Sequence, residues 1–382
     1  MSEITEAFRP SNNTLAVSGG AARSRANSPT AMDFDVWRAG FRATVQQHID
    51  GFVRARCEEH LHGPGGEAAA SVLTEFVRDG KSLRSTFAYL GWRCGSGENG
   101  VAVRAAASLE LLHAFALLQD DVMDDSQQRR GRPAAHVQLA EWHRRQGLFG
   151  SARFGEAAAV LLGDLCLVWA EQMLRECGLD EHALARAWSS YDGMRSELAA
   201  GQLADLLNDV AGTPPLQQVL DIARRKSGNY TVRRPLELGA HLAGCTPSVL
   251  AILGEYGTLI GEAFQIRDDV LGVFGHPSVT GKPIGDDVRE RKATTVVTLA
   301  QQSAAPGVGA KLRAVWHEQT LDDAAVEHAC ALIESTGART RAEQMIDERV
   351  DRALHLLNGP DFEPWTRHAL TEMALICSDR AS

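Results

Sequence analysis

Residues Ser108–His136 read SLELLHAFALLQDDVMDDSQQRRGRPAAH. At 3.6 residues per turn, His113, Ala116, Asp120 and Asp124 fall on one stripe of a helix, with Asp121 beside it. The run is apolar before Gln119, then carries Asp120, Asp121, Asp124 and Asp125, and within a few residues the charge reverses at Arg129 and Arg130. Carboxylates one turn apart repel each other unless a cation lies between them. Magnesium suits such a pair, since it takes hard oxygen ligands and completes its shell with water and phosphate. A solvated acidic helix end is the plainer reading of a lone DDxxD, yet an exposed acidic face is not expected straight after so apolar a run. The stretch therefore predicts a helix that ends in a metal-and-phosphate site.

Outward from this helix the same period recurs, and sustained strand alternation does not. Phe34, Trp37, Phe41, Val45, Ile49 and Val53 set an amphipathic helix over Asp33–His62, broken by HGPGGE at 62–67. A second helix is expected from Ala68 to Arg78. In DGKSLRSTFAYLGW (79–92), Lys81 and Arg84 are three apart and can face one anion at a helix start; an ordinary basic helix end is the alternative. RCGSGENG (93–100) reads as a loop. Ala134–Phe154 looks less regular, and Phe154–Leu174 is apolar nearly all round, as a helix in the middle of a bundle is. Gln202 and Asp205 share a face of the next helix, and Lys226 and Ser227 mark a kink or start. Past Gln301, three or so amphipathic helices broken at APGVG and NGPDF serve packing. The fold class is all-α, a large bundle of about ten or more helices.

The chain has 382 residues, 44% of them hydrophobic, enough for one large domain or two ordinary ones. A net charge of -10 argues against a nucleic-acid surface, so the basic residues in the motifs read as local phosphate ligands. Seven scattered cysteines without a CxxC fit a reduced intracellular compartment. With no uninterrupted apolar run of membrane length and no signal-peptide order, a soluble, cytoplasmic protein without stable membrane insertion is expected. Residues 1–31, rich in Ser, Asn, Ala and Gly, read as a disordered tail, leaving 32–382 as the domain.

A second acidic site stands in GEAFQIRDDVLGVFGHPSVTGKPIGDDVRERKATTVV (261–297). Gln265, Asp268 and Asp269 have helical spacing, and the Gly/Pro-rich loop that follows delivers Lys282, Asp286, Asp287 and Lys292. Two acidic clusters, each at the polar end of an apolar helix and each followed by basic residues, are seldom accidental.

The ordered series GKSLR, LLH, DDVMD, RRGRP, GQLAD, KSGNYT, FQIRDDVLG and GKPIGDD resembles the trans-isoprenyl diphosphate synthase (polyprenyl synthetase) family, most nearly its bacterial geranylgeranyl-type members. The resemblance runs from about Asp33 to the C-terminus. It implies an isoprenoid-synthase bundle with a central active-site cavity, a homodimer, and magnesium-dependent condensation of isopentenyl diphosphate with an allylic diphosphate. By resemblance, Asp120, Asp121, Asp124, Asp268 and Asp269 hold a cluster of three magnesium ions on the allylic diphosphate, joined by Arg129, Lys226 and Lys282. Gly80, Lys81, Arg84, His113 and Arg130 match the isopentenyl diphosphate site, and Ser227, Gln202 and Gln265 match the residues around the allylic diphosphate and the developing cation. Proton loss goes to pyrophosphate, so no protein base is assigned. Four positions depart from the family pattern: Gly272 replaces a third Asp in the second motif, Asp79 and Ser82 replace a Gly and an Arg in the first basic motif, and Ser227 stands where Thr is common.

In the family an aromatic residue five positions before the first motif, with a small one at the fourth and no insertion, goes with a C20 product; here these are Phe115 and Ala116. That points to geranylgeranyl diphosphate with Phe115 as the chain-length floor; farnesyl diphosphate or longer chains are the alternatives for the product, and ordinary core is the alternative for Phe115. A terpene cyclase of the same fold would have no use for a second diphosphate site. A non-catalytic regulatory subunit would be expected to have lost acidic residues that are present here.

Overall fold

The computed structural model describes residues 29–78, 80–210, 214–276, 284–318 and 320–379. These are helical nearly throughout, as the 3.6-residue period predicts. Residues 1–28 of the expected tail lie outside the described residues, and helix α1 (Pro29–His60) begins within its last three positions. The apolar stripe of α1 is buried as expected at Phe34, Phe41, Val45, Ile49 and Val53.

The core has two halves. One gathers α1, α2 (Gly63–Phe76), α4 (Gly100–Met123), α5 (Ala135–Arg145), α6 (Ser151–Arg175) and the first half of α7 (Glu181–Val210). The other is built on α10 (Pro247–Phe274) with α12 (Thr295–Ser303), α13 (Pro306–His317), α14 (Asp323–Ser335), α15 (Ala338–Leu356) and α16 (Pro364–Ser378). Helices α3 (Leu83–Arg93) and α9 (Arg234–Ala243) contribute to both halves and form the seam. They lie backbone against backbone. A Cβ on Gly239 would stand 2.8 Å from Trp92 N and closer still to Ala88 O, and one on Gly91 would stand 3.1 Å from Ala240 N and collide with Leu236 O.

Between α8 (Leu216–Ala223) and α9 the chain runs as a π-helix, Arg224–Arg233, which realises the expected kink at Lys226. π segments are rare and concentrate at functional sites. Glycines hold this one in place: a Cβ on Gly201 would stand 2.6 Å from Lys226 N, and one on Gly261 would stand 2.7 Å from the Gly228 carbonyl carbon. The wide turn is thus wedged between α7 and α10, at the boundary of the two halves.

Five expectations are corrected. The break after α1 is confined to Leu61 and His62, because Pro64 in the first turn of α2 has no N–H to lose there. Within Ala134–Phe154 lies a regular helix, α5. Beyond 301, α13, α14, α15 and α16 follow the end of α12, and APGVG starts a helix with Pro306 in its first turn. Helix α6 is not central: it packs on α4 and α5 and leaves Leu161 and Val168 more than half exposed. By length and mean hydropathy α4, α6 and α10 could each cross a membrane; in the fold, 61%, 44% and 61% of their most apolar windows are buried. The apolarity of α4 and α10 therefore serves the core, while α6 keeps an uncovered face.

One pair of strands escaped the periodicity. Gln128–Arg129 (β1) and Arg132–Pro133 (β2) pair antiparallel, Gln128 with Pro133 and Arg129 with Arg132. The turn residues Arg130 and Gly131 have φ of 54° and 74°, and positive φ at both centres is what a type I′ hairpin turn requires. Two-residue strands have no period to detect, yet this hairpin aims the two arginines.

Candidate active site

Helix α4 brings the first acidic motif to the seam, and the hairpin folds back on it. Arg129 Nε donates to Asp121 Oδ1 at 2.8 Å, and its guanidinium lies 3.8 Å from Asp120 Oδ2. Asp121 is 1% exposed and its Oδ2 has no partner. Gln202 of α7 donates to Asp120 Oδ1 at 3.0 Å. From the π segment, Lys226 Nζ lies 2.6 Å from Asp205 Oδ2 and 3.4 Å from Asp120 Oδ1. Lys292, in the turn after α11 (Asp286–Arg289), lies 3.3 Å from Asp124 Oδ2 and 2.7 Å from Glu290. Three of the protein's own cations thus hold the carboxylates together. Burial works against the charge on Lys226 and Lys292, yet the surrounding carboxylates keep both pKa values above normal. Sequence reasoning noted Asp205 and Lys292 without giving them a role; their signal was the shared face with Gln202 and the basic run after GDD.

On α10, Asp269 is buried, with Oδ2 accepting from Thr295 N and Oδ1 from the Gln265 amide, each at 2.9 Å. Burial pushes its carboxyl up to about 6. Asp121 and Asp124 are raised as well, first by burial, and Asp120's charge adds to it. Asp268 and Gln265 border both a cavity of about 900 Å³ and a smaller chamber of about 180 Å³. The large cavity is lined also by Lys81, Arg84, His113, Arg129 and Arg130, so the predicted isopentenyl diphosphate residues other than Gly80 share it with Arg129, Ser227, Gln265 and Asp268 of the allylic set, whereas Asp120, Gln202 and Lys226 line other cavities. Ser227 borders both of these and a third cavity of about 330 Å³ lined by Phe115, Ala116, Met123, Leu198 and Leu203.

The basic motif is organised less by the helix start than by side chains. Glu110 caps α3, accepting from Ser85 N at 3.2 Å and Ser85 Oγ at 2.8 Å. The anion expected at that helix start must therefore meet the side chains of Lys81 and Arg84. Arg84 donates to Thr231 Oγ1 at 2.9 Å and lies over the Tyr230 ring at 4.3 Å. Arg130 donates to Arg78 O at 2.7 Å, and Gly80 is fixed through its carbonyl by Arg42 at 3.0 Å, outside the cavity lining. Burial, and then the charges of Arg84, Arg130 and Arg129, hold His113 well below its usual range, so it is a neutral imidazole. Lys282 and Asp79 lie outside the described residues. Among those described, the non-glycine residues with positive φ are Ser82, Asp125, Arg130 and Arg291. Each stands in or beside a motif, which is where stored backbone strain is ordinarily found.

Among the described residues no three His, Cys, Asp or Glu side chains are gathered closely enough to hold a metal, and Arg129, Lys226 and Lys292 pair with the carboxylates of the first motif. The donor set nevertheless fits a hard cation. Asp121 keeps a buried oxygen without a partner, and desolvated carboxylates of raised pKa gain most from a divalent ion. Asp269 makes the metal-free fold pH-dependent. An unfolded Asp titrates near 3.9, so the folded state holds the proton longer, and stability is lost as the pH rises through about 6, by roughly 3 kcal/mol for this group. Urea unfolding at about pH 4 and about pH 7.5 is expected to show Asp269→Asn losing about 2 kcal/mol less than the parent between the two.

An all-α bundle with two acidic motifs and a cationic cavity at one seam is an arrangement that suits an anionic substrate beside hard cations. The polyprenyl synthetase family profile matches residues 67–333. The chain is 33% identical over 280 residues to a geranylgeranyl diphosphate synthase of Mycobacterium tuberculosis, covering 73% of this chain and 75% of that one. It is 32% identical over 283 residues to a (2E,6E)-farnesyl diphosphate synthase of the same organism, covering 73% of each. A geranylgeranyl pyrophosphate synthase of Corynebacterium glutamicum, solved with isoprenyl diphosphate and magnesium, superposes with a TM-score of 0.85 at 36% identity, over 89% of this chain and 98% of that one. The chain belongs to the polyprenyl synthetase family, and it is a prenyltransferase of the prenyl diphosphate synthase type.

Proposed function

We propose that the chain condenses isopentenyl diphosphate with allylic diphosphates up to geranylgeranyl diphosphate (C20), as a magnesium-dependent cytoplasmic homodimer. The observation that carries the product length is the 330 Å³ cavity beneath the first motif, where Phe115 and Ala116 form part of the wall beside Asp120. A growing chain anchored at the acidic end meets the Phe115 ring, while Ala116 leaves room on its own side. The uncovered α6 residues Leu161 and Val168 offer a second copy an apolar face.

In this reading Asp120, Asp121, Asp124, Asp268 and Asp269 hold three magnesium ions, which when bound neutralise the allylic diphosphate as its carbon–oxygen bond breaks. Arg129, Lys226 and Lys292, with Lys282, add positive charge where the leaving oxygens gather negative charge, a stabilisation that grows toward the transition state. Lys81, Arg84 and Arg130 hold isopentenyl diphosphate, and His113, kept neutral, offers a ring nitrogen without adding charge. The isopentenyl double bond supplies the electron pair of the new carbon–carbon bond, and the resulting cation loses its proton to the released pyrophosphate. Ser227, Gln202 and Gln265 face that cation with oxygen dipoles.

Phe115→Ala tests the product length. Given C15 allylic diphosphate and isopentenyl diphosphate, the parent is expected to stop at C20 and the variant to shift to C25 and beyond, read by mass spectrometry of the dephosphorylated alcohols. An unchanged product would take the floor away from Phe115. The similarity to a farnesyl synthase supports a second reading, in which the parent stops at C15.

A further inference from the structure

Gly272 stands four residues after Asp268 on α10, the same step that separates Asp124 from Asp120 on α4. The first motif has a carboxylate one turn on; the second has none of its own. The space is nonetheless filled. A Cβ built on Gly272 would lie 2.8 Å from Asp287 Oδ1, and closer still to its Cγ and Oδ2. The Asp287 carboxyl therefore takes the place where a side chain at 272 would begin, one turn from Asp268. Asp287 also borders the 180 Å³ chamber with Asp268, Asp269, Lys226 and Lys292. Its backbone is fixed there: its carbonyl accepts from Lys292 N at 2.9 Å, and the next residue, Val288, is fully buried.

We propose that Asp287 is the third carboxylate of the second magnesium subsite, carried in by α11 instead of α10, and that residue 272 is glycine in order to admit it. The proposal rests on the metal-dependent prenyl-transfer reading above. Magnesium requires hard oxygen donors in a near-octahedral set, and a carboxylate one turn from Asp268 gives the second motif the donor spacing of the first. The competing role for Asp287 is to hold Lys292 by charge alone.

Calorimetric titration of Mg²⁺ into the full chain with inorganic pyrophosphate separates the two without turnover. Asp287→Ala and the isosteric Asp287→Asn are expected to weaken Mg²⁺ binding about tenfold or more, the scale for residues that support a metal's ligands. The loss is expected to persist in a Lys292→Gln background. Gly272→Asp combined with Asp287→Gly is expected to recover most of the affinity, whereas Gly272→Asp alone, which crowds Asp287, is not. Unchanged affinity in both Asp287 variants, or an effect that vanishes once Lys292 is replaced, would overturn the assignment while leaving prenyl transfer intact. Uptake by the parent that is indifferent to Asp120→Ala and Asp268→Ala, or no uptake at all, would instead overturn the metal reading on which it rests.

Discussion

Asp120→Ala is expected to lower kcat by about 10³-fold or more, a loss of roughly 4 kcal/mol of transition-state stabilisation. Asp120 is where three elements meet: the Gln202 amide at 3.0 Å from α7, Lys226 at 3.4 Å from the π segment and Arg129 at 3.8 Å from the hairpin. Its removal takes away a ligand oxygen and leaves Lys226 and Arg129 held by Asp205 and Asp121 alone. Removing it also lifts the like-charge repulsion that Asp120 exerts on Asp121 and Asp124, which offsets the lost ion pairs. The expected outcome is therefore a split: single-turnover chemistry collapses while the urea midpoint barely moves. A kcat within tenfold of the parent would show that the first motif does not carry the ionisation.

Gly239→Ala is expected to cost about 3 kcal/mol or more of stability, at the upper end of what overpacking does. The new methyl would overlap Ala88 O and lie 2.8 Å from Trp92 N, backbone atoms that cannot rotate away. Helices α3 and α9 would have to separate along the seam of the two core halves. That separation also pulls Arg84 from Thr231 and from the Tyr230 ring, so KM for isopentenyl diphosphate is expected to rise in whatever protein remains folded. Gly193→Ala in α7, where the added carbon meets nothing within 4 Å, is the matched control. It is expected to be neutral or stabilising by up to about 1 kcal/mol. Equal urea midpoints for the two variants would refute the tight crossing.

Much of the molecule was legible because its chemistry follows a period. The stripe from His113 to Asp124 set the direction of α4, and the same counting put Asp268 and Asp269 at the end of α10. The π segment was legible only as a kink, since its wide turn is set by the backbone contacts of Gly201, Gly228 and Gly261 with their neighbours, and those are tertiary. The hairpin at Arg129 and Arg130 was missed because two residues cannot alternate. Helix α6 misled for another reason: an apolar face can be left for a partner as well as buried, and composition does not tell the two apart. Asp287 was visible as one acid among several, but its place over Gly272 depends on where α11 folds back.

Prenyl transfer itself is tested most directly by incubating the purified protein with magnesium, isopentenyl diphosphate and, in turn, C5, C10 and C15 allylic diphosphates, then reading the dephosphorylated products by mass spectrometry. A C20 alcohol from each starter, absent without magnesium, is the predicted result. Failure to elongate any of the three, or a cyclic hydrocarbon formed without isopentenyl diphosphate, would contradict it.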